Sequence, residues 1–250
     1  PVRDRDLDYT FRLIADSGYR KVDLWGGLPN YSNTPDECDV TALKSKAAEY
    51  GLLIANLGTY PGRKIFDVGP EAEFEEMKRA IDNAAFLGSR SIRVCPGTGE
   101  DPAIIPELVP FFQKSAAYAA GKGVYMGMEN HKGSIAGNPD ACAELSSAVD
   151  SPHFGVLYEP ANLMACGVDY KNAYAAFGDY VTHVHVKDSH VVDGTYERTM
   201  LGEGSIDYAW VTATVEAGGY TGDYALEFEI QDRVDIAIGL PKWLEYFLAL

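Results

Sequence analysis

Three carboxylates and one imidazole close four strand-like runs of this 250-residue chain: Glu129 in VYMGME, Glu159 in FGVLYE, His185 in VTHVHV and Glu227 in DYALEFE. Together they form a candidate hard-metal site. Hard oxygen donors suit Mg²⁺ and Mn²⁺, and a single imidazole shifts the preference towards Mn²⁺, Co²⁺ or Zn²⁺, so one divalent ion, Mn²⁺ first, is expected. Taken singly, each acid could equally be hydrogen-bonded or paired with a cation such as Arg93. Taken together, three inward carboxylates repel strongly in a poorly solvated site unless a metal or raised pKa values intervene.

The four positions are separated by 30, 26 and 42 residues, each gap long enough for a strand followed by a helix. Helical patterns are expected over 7–19, 40–51, 71–88, 106–121, 139–149, 171–178, 208–219 and 233–249, with strands over 21–25, 52–58, 91–95, 124–129, 154–159, 181–186 and 223–229. Eight helices and seven strands in alternation predict an α/β fold, a (β/α)8 TIM barrel lacking its first strand. The chain opens at Pro1 and runs almost directly into a helix, which reads as a truncated N-terminus.

Alternate residues of a barrel strand face the interior. Met126, Met128, Val184, Val186, Leu226 and Phe228 then face helices, leaving Gly127, Glu129, His183, His185, Ala225 and Glu227 inside. The same alternation turns Arg93 inward. All four candidate ligands fall at the C-terminal ends of strands, where such barrels carry their sites.

With 46% hydrophobic residues, residues 1–250 make one domain with a large core. A formal net charge of −16 argues against nucleic acid or an anionic membrane as partner and favours a small neutral substrate. There is no signal-like or membrane-spanning run. Four widely spaced cysteines (Cys38, Cys95, Cys142, Cys166) fit a reducing cytoplasm. Glu71, Glu73, Glu75 and Glu76 read as a solvated helix start.

The segments MENHKG, YEPANL, HVHVKD, LGEGSID and GYTGDYALEFE, in this order, resemble the successive signatures of the xylose-isomerase-like TIM-barrel superfamily, the sugar phosphate isomerase/epimerase group. The resemblance spans about residues 7–230 and is most specific from HVHVKD to LGEGSID. It implies one divalent metal held by Glu129, Glu159, His185 and Glu227. The family pattern usually has Asp where Glu159 stands, and several relatives have His where Asn162 stands, which alters substrate contact or support of the site. By the same resemblance Glu129 and Glu227 are the acid/base pair, approaching a keto-sugar from two sides.

His131, two residues after Glu129, is a candidate base or hydroxyl contact, or else a loop cap. Lys187 and Asp188 are candidates for binding sugar hydroxyls or neutralising an enediolate, against an ion pair across the barrel mouth. His183 reads as a hydrogen-bonded core histidine, and His153 and His190 as loop residues. Trp25 and Tyr60 could stack on a sugar, and Arg198 could reach the substrate. GEG is too short for a nucleotide loop.

The reaction expected is keto-sugar isomerisation or epimerisation through an enediolate. The alternatives are a lyase or dehydratase using the same enolate, an endonuclease IV-like phosphodiesterase, or a non-catalytic sugar-binding barrel. All five histidines lie in the second half of the chain, which counts against a three-zinc phosphodiesterase. A homo-oligomer is left open.

Overall fold

The computed structural model describes residues 5–250. In chain order the helices are α1 (Leu7–Asp16), α2 (Val40–Glu49), α3 (Ile65–Val68), α4 (Pro70–Leu87), α5 (Ile105–Lys122), α6 (Pro139–Val149), α7 (Pro160–Ala165), α8 (Tyr170–Phe177), α9 (Tyr208–Ala217) and α10 (Ile236–Leu248). The strands are β1 (Lys21–Trp25), β2 (Leu53–Gly58), β3 (Ser91–Val94), β4 (Tyr125–Glu129), β5 (Phe154–Tyr158), β6 (Val181–Val186), β7 (Asp188–Val192), β8 (Thr195–Thr199) and β9 (Tyr224–Leu226). Seven of them pair in parallel in the order β1-β2-β3-β4-β5-β6-β9 and curl into a nearly closed barrel inside a ring of helices.

Local chemistry sets these boundaries. Asp39, Asn138, Asp169 and Asp207 accept hydrogen bonds from backbone N–H groups in the first turns of α2, α6, α8 and α9. Gly88 and Gly123 close α4 and α5 at φ of 79° and 70°, a conformation open to glycine at little cost. Met126, Met128, Val184 and Val186 are fully buried and belong to the core, as strand parity predicts.

β1 and β9 form the edges of the sheet, and no ladder joins them. A cavity of about 720 Å³ opens along this gap, lined by both strands and by Ile14, Leu240, Leu244 and Phe247 of α1 and α10, and it reaches His185 and Glu227. Lys21 Nζ meets Asp223 Oδ1 at 2.6 Å across it. The expectation drawn from Pro1 lies outside the described residues.

Two expectations are corrected. Glu73 is buried, because its carboxylate turns back to accept from the backbone N–H of Gly62 (2.6 Å) and Lys64 (3.2 Å); Glu71, Glu75 and Glu76 keep at least partial exposure. His190, expected in a loop, lies in β7 of the antiparallel β7–β8 hairpin, which turns at Asp193 (φ 49°) and Gly194 (φ 77°). An Asp-Gly pair between VV and TYERT is the sequence signal for such a turn.

Candidate metal centre

Glu129 ends β4, His185 lies in β6, and Glu159 and Glu227 follow the last residues of β5 and β9. One ligand atom from each lies within 4.8 Å of all the others. His185 presents Nδ1 to the group, 3.0 Å from Glu129 Oε1, 3.5 Å from Glu159 Oε2 and 3.8 Å from Glu227 Oε2. Ligand atoms about 2.1 Å from one ion are separated by at most about 4.2 Å, so a cation fits with small side-chain adjustments.

Each ligand is positioned by a different device. Arg93, in β3, donates to the carbonyls of Thr59 and Gly58 and through Nη1 to Glu129 Oε2 at 2.7 Å, leaving Glu129 Oε1 facing His185. Its guanidinium stacks over Tyr60, 4.2 Å from the ring centre, and Tyr60 Oη accepts from Trp25 Nε1 at 2.9 Å. Lys187 Nζ binds Glu227 Oε2 at 2.7 Å and Glu229 Oε2 at 3.1 Å. Glu159 immediately precedes α7 and is 0% exposed, and neither of its oxygens accepts a hydrogen bond; Lys187 Nζ stands 3.7 Å away.

The electrostatics follow from this packing. Burial raises the Glu159 pKa, and Lys187 only partly offsets it. Burial would also raise Glu129, but Arg93 and His185 outweigh it and hold its carboxyl far below the usual range. Glu227 is likewise lowered, by Lys187 and His185 against burial. Burial works against the charged forms of His185 and Lys187, yet the surrounding carboxylates hold both well above their ordinary values.

Asp23, Glu129, Glu159, Glu227 and Glu229 gather around the buried cations Arg93 and Lys187, with Arg198 reaching Glu229 from the solvent side. Both Glu159 oxygens and both His185 nitrogens are buried without a hydrogen-bond partner. Orphaned oxygen and nitrogen ligand atoms converging on one point are the chemistry a divalent cation satisfies.

A family model described as xylose isomerase-like TIM barrel matches residues 11–246. The chain belongs to the xylose isomerase-like TIM-barrel family. Among solved structures, it is similar to a xylose isomerase-like TIM barrel protein from Mycobacterium smegmatis in complex with magnesium (18% identity, 99% of this chain and 90% of that one, TM-score 0.81). It is also similar to the probable 3-DHS dehydratase AsbF from Bacillus anthracis (15% identity, 98% and 95%, TM-score 0.76) and to an L-ribulose 3-epimerase (16% identity, 97% and 88%, TM-score 0.76). At these identities the likeness shows the fold. No curated protein matches the sequence.

In this xylose isomerase-like barrel, Trp25 joins Asp23, Arg93, His185 and Glu227 in the cavity wall. Arg198, on β8, reaches Glu229 Oε2 at 3.1 Å and stays partly open to solvent. Asn162 is half-buried in the first turn of α7. His131 is exposed, with Nδ1 2.7 Å from the Lys132 carbonyl, apart from the ligand cluster. His153 is half-buried between β4 and β5, its Nδ1 2.8 Å from the Val124 carbonyl and its ring stacked on Tyr125.

Asp188 is committed within the fold. It is 1% exposed, and its carboxylate accepts from the backbone N–H of Ser189, Gly202, Gly204 and Ile206, so it fastens the LGEGSID loop. A Cβ at Gly204 would collide with this carboxylate.

The sequence reading missed Asp23. It accepts from His183 Nε2 at 2.7 Å and lies 3.3 Å from His185 Nε2. The parity of KVDLW, with Val22 and Leu24 buried outward, would have placed it inside, where a carboxylate needs a partner.

Proposed function

We propose that the chain is a divalent-metal-dependent isomerase or epimerase of a keto-sugar or related polyol, moving a proton at the carbon beside a carbonyl. The observation that carries the reading is the convergence of Glu129, Glu159, His185 and Glu227, with Glu159 and His185 unsatisfied, at the C-terminal mouth of a barrel. Mn²⁺ is the proposed ion, on the strength of one imidazole among oxygen donors. When bound, it supplies Lewis-acid polarisation of the substrate carbonyl.

The chain's own residues do the rest. Glu227 has a side chain 22% exposed, against 10% for Glu129 and 0% for Glu159, so it is the carboxylate most open to a ligand. Glu227 takes the C–H proton on one side of the substrate, and Glu129, held by Arg93, serves the other. Lys187 stays protonated among its carboxylates, so it acts as a hydrogen-bond donor and positive charge to an enediolate oxygen, not as a base. Trp25, Asn162 and Arg198 are proposed to contact substrate around this point. The chain's formal net charge of −16 favours a neutral carbohydrate or polyol.

A lyase outcome uses the same enolate with β-elimination of a hydroxyl, the leaving oxygen taking its proton from a donor at the site; His131 would have to swing in from the exposed loop after β4 to supply it. The likeness to a probable dehydratase keeps this reading beside the first. Both are tested by solvent deuterium incorporation into keto-sugars and keto-inositols with Mn²⁺, reading product mass in the same spectrum. Exchange without loss of mass supports the isomerase or epimerase, exchange with loss of water supports the lyase, and no exchange by Mn²⁺-loaded protein across the panel contradicts both.

A further inference from the structure

We infer that Asp23, seated by His183, is the positioning residue that presents His185 Nδ1 to the cation, an inference that rests on the proposed four-residue centre. The two nitrogens of His185 face opposite ways. Nδ1 is turned to Glu129, Glu159 and Glu227, while Nε2 stands 3.3 Å from Asp23 Oδ2. A neutral imidazole that offers its Nδ1 lone pair carries its proton on Nε2, and that proton needs an acceptor in a buried site. Asp23 is the carboxylate on that side.

Asp23 is itself held in place. His183 Nε2 binds the same Oδ2 atom at 2.7 Å, and the two rings lie 5.4 Å apart with their planes at 81°, so their Nε2 atoms converge on one oxygen. Alternation along β6 puts both histidines on the inward face, and β1 delivers the carboxylate from across the gap beside β9. The aligned bond is the one to His183; the His185 contact is close but unaligned in the chain by itself, and both His185 nitrogens are unsatisfied. Asp23 therefore does two things: it is anchored by one imidazole and reserves its acceptor for the other. Without it, the tautomer with the proton on Nδ1 becomes available, and that tautomer cannot bind a cation at Nδ1.

A purely structural Asp23–His183 bridge between β1 and β6 would lower stability on mutation and leave cation affinity alone. Mn²⁺ affinity of the full chain, measured by EPR of free Mn²⁺ or calorimetry, separates the two. Asp23→Asn keeps the shape and removes the charged acceptor; it is expected to weaken Mn²⁺ binding by roughly 10- to 100-fold with an unchanged circular dichroism spectrum. His183→Asn is expected to weaken it less.

A folded Asp23→Asn protein that binds Mn²⁺ within twofold of wild type overturns the inference while leaving the centre intact. Wild-type protein that binds no divalent ion overturns both. A second measurement needs no variant: in Mg²⁺-loaded wild type, ¹⁵N spectra are expected to show His185 protonated on Nε2 alone, with that proton slow to exchange. A His185 proton on Nδ1 in the loaded protein overturns the inference.

Discussion

Arg93 and Glu129 make a one-oxygen contact: Nη1 holds Glu129 Oε2 at 2.7 Å, and Oε1 is left free 3.0 Å from His185 Nδ1. A guanidinium tied by two carbonyls and stacked on Tyr60 fixes which oxygen of the carboxylate faces the site. Both side chains are only 10% exposed, so the pair is poorly screened.

Arg93→Met is expected to weaken Mn²⁺ binding by about 10- to 100-fold, since it frees Glu129 to rotate. It is also expected to destabilise the metal-free protein by about 3–5 kcal/mol by leaving a buried charge unpaired. Denaturation with and without Mn²⁺ checks both, and a variant with wild-type affinity would remove Arg93 from the support of the centre.

Glu159 gives opposite signs with and without metal. Its folded pKa is raised above the ordinary 4.5, so the folded chain holds this proton more tightly than the unfolded one. The stability tied to it is present at low pH and falls as pH rises from about 4.5 through the raised folded value. Glu159→Gln is therefore expected to stabilise the metal-free protein at neutral pH and to have little effect near pH 4, while weakening Mn²⁺ binding at neutral pH. Thermal melts across pH, with chelator and with Mn²⁺, read each effect, and lowered metal-free stability at neutral pH would contradict this account.

Glu227→Gln is expected to keep the fold, weaken metal binding and abolish C–H exchange. Gln retains the shape but cannot take a proton. Solvent deuterium incorporation checks it, and full turnover would exclude Glu227 from proton transfer.

Asp188 is expected to matter for the LGEGSID loop and not for the metal. Asp188→Ala would leave four backbone N–H groups without their acceptor, costing at least about 2 kcal/mol. Hydrogen exchange at Gly202, Gly204 and Ile206 should rise while Mn²⁺ affinity stays within a few-fold. Unchanged exchange would show the carboxylate is dispensable there.

Much of this molecule was legible from period and spacing. Strand β1 and strand β6 fall on the expected residues, and inward parity collects Glu129, His185 and Glu227, because a two-residue repeat leaves an acid between apolar neighbours nowhere else to point. Residues whose roles depend on distant partners were not legible. Glu73 lies in an acidic run that resembles a solvated helix start, and only the fold brings the Gly62 and Lys64 amides to it. Asp188 has the chemistry of a sugar ligand, and its commitment to a loop 14–18 residues later is a tertiary fact. Asp23 meets a histidine 160 residues away. The β7–β8 hairpin is signalled by its Asp-Gly turn alone, since an antiparallel pair stands outside the strand–helix repeat that sets the rest of the barrel.

The central claim is that Glu129, Glu159, His185 and Glu227 together hold one divalent ion. Calorimetric titration of chelator-treated protein with Mn²⁺, beside Glu159→Gln and Glu227→Gln, tests it most directly. The account predicts one site per chain, weakened by roughly tenfold or more in each variant with the fold retained. Wild-type protein that takes up no Mn²⁺, Mg²⁺, Co²⁺ or Zn²⁺, or variants that bind as tightly as wild type, would contradict it.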